Sequence, residues 1–517
     1  WALCSALHER DPSHWGALKE TLVAAAIEAG SVTADTLPPE IDEEPALARL
    51  EKLAAAEARP DLRALVDATE SRDLPWLLDD AVISIGCGAG SRSFSLGSLP
   101  FVADVPWSDL HDVPMALVTG SNGKTTTVRL IAACLRAAGH RPGYSCTDGL
   151  FIAGETIDSG DYSGPVGART VLRQRRVEAA VLETARGGIL RRGLAVARAH
   201  AAVVTNVSAD HLGEYGIDDL GALADVKLTV ASVVGRTGLL VLNADDAMLR
   251  SKAGSLESRY GYMPPIGWFS LDAEHALLRS HRAAGGATCG VRDGHLLLVR
   301  AGEESDLGPI ARMPLTVDGL ASYNVANLAG AALAAAALGV EPATIVAAFA
   351  SFGADPGDNA GRMMRFDLDG AQVLLDYAHN PDGLRGLLRV AEGLRGGAGR
   401  LGLLLGHAGN REDADFERLA AAAAEFSPDL VVVKEIEGYL RGRAPGEVPH
   451  LIRSALLRHG LPESALPMRS SELDAARCAL DWSRPGDVVV LLVHSLAARA
   501  AVVEMLQAGA GGRICRI

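Results

Sequence analysis

The chain has 517 residues, enough for roughly two to four domains with sizeable cores. A net charge of −15 argues against a nucleic-acid surface, and 48% hydrophobic residues with a mean hydropathy of +0.16 mark a globular chain. No apolar run is long enough to span a bilayer, Trp1-Ala-Leu-Cys-Ser5 does not read as a signal peptide, and seven scattered cysteines without a Cys-x-x-Cys pair fit a reducing cytoplasm better than a disulfide framework or a zinc site. With aromatics at 4% the core must be aliphatic, and the absence of an initiator Met is compatible with a start inside a longer chain.

Residues 1–112 form a first, N-terminal α/β region that suits a substrate-binding role. Segments 46–56 and 62–70 have the periodicity of amphipathic helices, punctuated by Pro38, Pro39, Pro45 and Pro60. A strand is predicted at 81–85, followed by Gly86-Cys-Gly-Ala-Gly90. The spacing of that glycine run does not match a dinucleotide fingerprint and no helix follows before Pro100, so it reads as a tight turn.

Residues 113–358 are organised around Val113-Pro-Met-Ala-Leu-Val-Thr-Gly-Ser-Asn-Gly-Lys-Thr-Thr-Thr127. The pattern predicts a buried strand at 115–118, a glycine turn at 120–123 and a helix over 125–138. Backbone N–H groups and the dipole at a helix N-terminus favour an anion in the turn. Gly120, Ser121, Asn122 and Gly123 can cradle phosphates, Lys124 can reach the terminal ones, and Thr125, with Thr126 beside it, can ligate Mg²⁺. Further strands are predicted at 179–182, 201–205 and 238–242, with a helix near 220–233; this alternation predicts a parallel sheet covered by helices on both faces. Residues 359–517 alternate again, with strands at 372–375, 400–405, 430–433 and 488–493, and read as a smaller doubly wound domain with a glycine loop at 396–399 and a glycine-rich tail at 509–512. Ala-rich runs at 331–337 and 420–424 are helix formers.

Several stretches carry candidate chemistry at strand ends, where ligands bind in such sheets. In Val181-Leu-Glu-Thr-Ala-Arg-Gly-Gly188, Glu183 can hold Mg²⁺ near the phosphates; without the loop it would read as an ordinary surface glutamate. In Val203-Val-Thr-Asn-Val-Ser-Ala-Asp-His-Leu-Gly213, His211 is a candidate ligand for a second Mg²⁺, with Asp210 orienting it or acting through water. Lys227, on a helix, reads by itself as a solvated lysine. Leu240-Val-Leu-Asn-Ala-Asp-Asp246 runs from a strand into a polar turn. Asn324 and Asn327 open a long Ala-rich helix on one face and can read an adenine edge or simply cap and pack. Gly361-Arg362 precedes the third region, and Leu374-Leu-Asp-Tyr-Ala-His-Asn-Pro381 presents Asp376 and His379 at the carboxyl edge of the sheet.

Only Ser121 and Asn122 separate Gly120 from Gly123, whereas the common phosphate loop has four residues there. The short form, and the order of the motifs from residue 113 to the end, resemble the Mur ligase superfamily. Within it, Glu183-Thr-Ala-Arg-Gly-Gly-Ile-Leu-Arg191, Asn206-Val-Ser-Ala-Asp-His-Leu-Gly213, Lys434-Glu435, Tyr439-Leu-Arg-Gly-Arg-Ala-Pro-Gly-Glu447 and Arg484-Pro-Gly-Asp487 most resemble the C-terminal, Mur-like half of cyanophycin synthetase. Peptidoglycan ligases carry a Gly-Lys-Gly where this chain has Val493-His-Ser495. The residues ahead of the loop are too few for the ATP-grasp domain of cyanophycin synthetase, so the expectation is a chain without it and without its polymer-synthesising pair of activities.

The resemblance implies a three-domain α/β architecture: the N-terminal region, a central P-loop ATPase-type domain over 113–358 and a C-terminal Rossmann-like domain over 359–517. It implies ATP and Mg²⁺, two ions, with Lys124 and Thr125 on the phosphates and Thr125, Glu183 and His211 on metal. Lys227 falls where several members carry a carbamylated lysine. Asn324 and Asn327 would sit beside the adenine, and Arg362, Asp376 and His379 would contact ribose and phosphates on closure. Gly409-Asn-Arg411 falls where the family often has Gly-Asp-Arg near the incoming amine, Asn410 being a departure. Arg186, Asn410, Arg411, Arg441 and Arg443 are the candidate substrate contacts, the last two equally readable as a solvated loop. The expected reaction joins an amino acid, such as Arg or Lys, to the carboxylate of a small peptide or amino-acid-derived acceptor through an acyl-phosphate. Neither nucleic acid nor membrane is an expected partner. A peptidoglycan-type or folate-type ligase, a P-loop NTPase or kinase and an inactive scaffold stay open, as does a homo-oligomeric state.

Overall fold

The computed structural model describes residues 59–210 and 212–509. The described residues divide into two compact units, residues 59–73 with 95–105 and residues 74–94 with 106–509. In the first, the helix Pro60–Glu70 begins on proline, whose fixed φ suits a first turn, and buries Leu65 and Thr69. The expected helix over 46–56, Cys4, Cys515 and the tail beyond residue 509 lie outside the described residues.

The second unit starts with antiparallel strands Trp76–Leu78 and Val82–Ile85. The glycine run after them is a short turn, Gly88–Gly90, hydrogen-bonded to the backbone of Val177 and His111. It is a packing turn, as its spacing predicts.

The central sheet has eleven strands: β1 (Met115–Thr119), β2 (Pro142–Cys146), β3 (Gly149–Ile152), β4 (Glu155–Ser159), β5 (Ala179–Glu183), β6 (Ala199–Val204), β7 (Val234–Asn243), β8 (Ile266–Ser270), β9 (Ala287–Arg292), β10 (His295–Arg300) and β11 (Glu303–Pro309). Their order is β11-β10-β9-β8-β7-β6-β1-β5-β2-β3-β4. The stretch from β9 to β2 is parallel throughout. β1 and β5 are buried at every position, as strands covered on both faces must be. Both edges are antiparallel hairpins, which the periodicity had not signalled.

Helices α1 (Lys124–Ala137), α2 (Arg186–Arg192), α3 (Leu220–Lys227) and α4 (Ser322–Ala337) flank this sheet. The helix expected over 220–233 resolves into α3 and a tighter turn, Leu228–Val233. The alanines of α4 carry little bulk, so this helix packs closely on α1 and on the sheet in one aliphatic core with Leu130, Ile131, Val181 and Val203.

The C-terminal sheet contains β12 (Met364–Leu368), β13 (Ala371–Asp376), β14 (Leu401–Leu405), β15 (Leu430–Lys434), β16 (Met468–Arg469) and β17 (Val488–Leu492), in the order β12-β13-β17-β14-β15-β16. Only the β12–β13 pair is antiparallel. Helices α5 (Pro381–Leu394), α6 (Asp413–Ala424), α7 (Glu447–Arg458), α8 (Glu472–Trp482) and α9 (Leu496–Gly509) complete it. Among the described residues no helix is long and apolar enough to cross a membrane. Gly120 and Ala185 beyond the central strands, and Tyr377, His407 and His494 beyond the C-terminal ones, line one shared space.

Candidate active site

β1 is buried along its length, and the chain leaves it at Gly120, which adopts φ +145°. Gly123 then sits at φ +84°, and a Cβ there would lie 2.2 Å from Oδ1 of Asn327. Left-handed backbone and the close approach of α4 both require glycine at this point. The loop is braced from the segment after β6: the Asn122 N–H donates to Asn206 Oδ1 at 2.9 Å, and the Ser208 N–H donates to Ser121 Oγ at 3.0 Å. Lys124 Nζ folds back over the loop and donates to Gly120 O at 3.1 Å and Ser121 O at 3.0 Å. The ammonium therefore stands at the mouth of the helix N-terminus, where an anion would be held.

The Thr125 hydroxyl donates to Glu183 Oε2 at 2.7 Å, and the Thr147 hydroxyl donates to Oε1 at 2.9 Å. Glu183 is 1% exposed, so its strand-end position is a buried one. A hydroxyl and a carboxylate side by side at the head of α1 are hard oxygen donors, the set Mg²⁺ prefers when phosphate and water supply the rest. Among the described residues, no group of three or more His, Cys, Asp or Glu is gathered for a metal. His211 lies outside the described residues.

A cavity of about 360 Å³ opens on this loop. The loop residues Ser121 to Thr126 line it with Glu183, Asn324, Asn327, Arg362, Asp376 and His379, so the sequence-predicted nucleotide contacts converge. The two asparagine amides also have internal partners: Asn324 donates to Leu315 O at 3.0 Å, and Asn327 donates to Asn324 Oδ1 at 3.1 Å. Asp376 accepts from the backbone N–H groups of Met363 and Ala378, each at 2.7 Å. Burial raises its carboxyl above the usual range against the pull of Arg362. Arg362 lies over the Tyr377 ring at 4.3 Å.

A second cavity, of about 580 Å³, shares Lys124, Thr147, Tyr377 and His379 with the first. Arg186, Asn410, Arg411 and Arg441 line it, whereas Arg443 does not. Arg443 is neither a cleft residue nor a free surface arginine: it donates to Glu447 at 2.8 Å, Asp413 at 2.8 Å and Arg411 O at 3.0 Å, and so stabilises its own loop. Arg186 pairs with Glu214 at 2.6 Å. Asp210 lies 3.3 Å from Arg411 and 3.5 Å from His379. Burial, then Arg411, pushes His407 down to about 3; burial, then Lys434, pushes His494 down to about 4. Both rings are therefore neutral near pH 7.

Lys227 is not the solvated lysine that its helix suggested. It is 3% exposed, at the end of α3, and faces the second cavity. Burial first, and the neighbouring Lys124 second, bring its ammonium down to about 7. The C-terminal sheet also reaches the loop directly. Asn380, the N-cap of α5, donates to Asn122 Oδ1 at 2.8 Å and accepts from Asn122 Nδ2 at 3.2 Å.

Sequence reasoning missed Thr147, Tyr377, His407 and His494 as site residues. Thr147 directly follows β2, and the rule that ligands bind beyond the carboxyl ends of parallel strands would have found it had β2 been recognised. No short-range signal marks the buried histidines, because the burial that chiefly makes them neutral comes from tertiary packing.

Two family models match the chain: the Mur ligase middle domain over residues 118–335 and the Mur ligase, glutamate ligase domain over residues 361–492. Cyanophycin synthetase from Nostoc sp. strain PCC 7120 is 36% identical over 393 residues, 76% of this chain and 42% of that protein. The chain thus spans less than half the length of that relative. The UDP-N-acetylmuramoyl-L-alanyl-D-glutamate–2,6-diaminopimelate ligase of Alkalilimnicola ehrlichii is 31% identical, covering 72% of this chain and 70% of that protein. The structure of E. coli FolC in complex with DHPP and ADP shares the fold, with a TM-score of 0.57 and 20% identity over 76% of this chain and 89% of that one. With both family models in sequence order, and the Alkalilimnicola ehrlichii ligase matched over 70% of its length, the chain belongs to the Mur ligase family.

Proposed function

We propose that this protein is an ATP-dependent ligase that joins an amine to a carboxylate through an acyl-phosphate. The observation that carries the reading is the wall shared by the two cavities. Lys124 and Thr147 belong to both, so a phosphate on the loop and a carboxylate in the second cavity would meet there. ATP occupies the smaller cavity with its triphosphate over Gly120 to Thr125 and its base toward Asn324 and Asn327. Thr125 and Glu183 would hold one Mg²⁺ and His211 is the expected ligand of a second; the ions would supply charge neutralisation on the phosphates. Lys124 steers the γ-phosphate toward the acceptor carboxylate, whose oxygen attacks phosphorus as ADP departs. The amine then attacks the acyl carbon, and phosphate leaves as the amide forms. Arg362, from the segment joining the two sheets, and Asp376 and His379, carried by the C-terminal sheet, close over the nucleotide and exclude the water that would hydrolyse the acyl-phosphate.

The finer reading is an acceptor that is a small peptide or amino-acid derivative, extended by an amino acid such as arginine or lysine. Similarity to cyanophycin synthetases supports it, as does a cleft carrying both signs of charge: Arg186, Arg411 and Arg441 beside Asp161, Asp210 and Glu214. Five described cysteines are free thiols, which supports a reducing, cytoplasmic setting. The deciding measurement is phosphate release from ATP and Mg²⁺ across a matrix of acceptor carboxylates and amino acids. Release that requires one of each is expected. Release that requires neither sinks the ligase reading in favour of an NTPase.

Lys227 carries the expected carbamate. A carbamate forms only from the neutral amine, by attack on CO₂ with loss of a proton, and a lysine near 7 is substantially neutral at physiological pH. The neutral fraction grows as pH rises through about 7, so carbamylation is favoured on the alkaline side. Enzyme stripped of CO₂ in mildly alkaline buffer is expected to lose activity about 10–100-fold, the cost typical of losing a metal-supporting partner, and to regain it with bicarbonate. Activity in Lys227→Gln that does not respond to bicarbonate agrees with this; an unresponsive wild type would eliminate the carbamate.

A further inference from the structure

Asp148 lies in the turn after β2, 8% exposed, and lines neither cavity. Three arginines from separate parts of the chain converge on its carboxylate. Arg129 of α1 donates to Oδ2 at 2.9 Å, Arg499 of α9 donates to Oδ1 at 2.8 Å, and Arg362, from the segment joining the two sheets, stands 3.6 Å from Oδ2. Burial alone would raise the Asp148 carboxyl; Arg362, Arg129 and Arg499 outweigh it and hold it at about 2. The joining segment is tied down further. Arg129 donates to Ala360 O at 2.9 Å and to Asn359 Oδ1 at 3.3 Å, and the Asn359 amide donates to Thr126 Oγ1 at 3.3 Å. Gly361 adopts φ +74°, and a Cβ there would come within 2.3 Å of the Arg499 guanidinium, so this glycine lets Arg499 reach the carboxylate. Arg362 and Arg499 also approach one ring, Tyr377, at 4.3 and 5.5 Å.

Of the three arginines, only Arg362 lines the 360 Å³ cavity. A lone arginine has many rotamers, and fixing one against a ligand costs entropy that a buried counter-charge can supply in advance. We propose that Asp148 is a positioning residue, a clasp that draws together guanidiniums from α1, the joining segment and α9, sets Arg362 against the nucleotide cavity and holds the C-terminal sheet over it. This inference rests on the reading of that cavity as the ATP site.

Asp148→Asn strands three guanidiniums, those of Arg129 and Arg499 buried, without a full counter-charge, so its failure to fold would be uninformative. Arg499→Met is the sharper variant. It keeps the side-chain stem, touches neither cavity and leaves Asp148 its other two partners. The full-length chain is titrated by calorimetry with the non-hydrolysable analogue AMPPCP and Mg²⁺, and KM for ATP and kcat are measured alongside. Arg499→Met is expected to weaken AMPPCP binding and raise KM for ATP roughly tenfold, with kcat within about twofold, as loss of a supporting partner does. A merely structural residue would lower the active fraction and leave KM unchanged. Equal AMPPCP affinity in wild type and Arg499→Met overturns the clasp and leaves the nucleotide reading standing. A folded wild type that does not bind AMPPCP overturns both.

Discussion

Lys124→Ala is expected to reduce ATP-dependent phosphate release by at least about 10²–10³-fold, the loss typical of removing one preorganised group from developing charge. Its two hydrogen bonds go to carbonyls of its own loop, at 3.0 and 3.1 Å, and both carbonyls border the cavities. Little of the fold depends on them. The melting temperature should therefore stay within about 2 °C of wild type, the range of a substitution away from the core. Phosphate-release kinetics and a thermal scan on the same preparation test both halves. Near-wild-type turnover in a folded variant would remove the phosphate role of Lys124 and with it the proposed orientation of ATP.

Glu183→Gln is expected to have the next largest effect. The substitution keeps the volume and removes the charge. Mg²⁺-dependent turnover should fall about 100-fold and recover in part when Mg²⁺ is raised, because a weakened ion site can be refilled by mass action. The fold should also respond. Glu183 accepts from Thr125 and from both the hydroxyl and the N–H of Thr147, and an amide nitrogen in place of one oxygen would face donors. Leaving such groups unpaired costs about 1–3 kcal/mol. Turnover measured against Mg²⁺ concentration separates the two contributions: a loss that Mg²⁺ cannot relieve at any concentration would mean that Glu183 acts only as a structural brace for Thr125 and Thr147.

The phosphate loop and four of the parallel central strands, β1, β5, β6 and β7, were legible in the sequence because their signals are local, whereas the parallel strands β2, β8 and β9 were not read. An apolar run ending in Gly-Ser-Asn-Gly-Lys-Thr states a strand, a turn and a helix start within a few residues. Glu183 could be placed because an apolar strand ends on it. The edge hairpins were not legible: β4 is exposed at every position and so has no apolar periodicity to read. Lys227 shows the same limit in the site. On its short helix it reads as a solvated lysine, and its burial comes from tertiary packing that the sequence does not state. Arg443 was equally open to two readings. Its motif resembles a substrate contact or a solvated loop, and the ion pairs it makes with Asp413 of α6 and Glu447 of α7 could not be read from it. Asp148 had no sequence signal at all, since its three partners lie 19, 214 and 351 positions away, differences taken from their residue numbers.

The reciprocal amide contact between Asn122 and Asn380 makes the phosphate loop part of the seam between the two sheets. Whatever the loop binds, its occupancy and the docking of the C-terminal sheet are then linked equilibria that share one coupling free energy. The factor by which docking tightens the grip on a nucleotide is the factor by which that nucleotide tightens docking. Affinity for whatever the loop binds therefore cannot be tuned independently of that docking, and mutations at this one amide pair should move both quantities together.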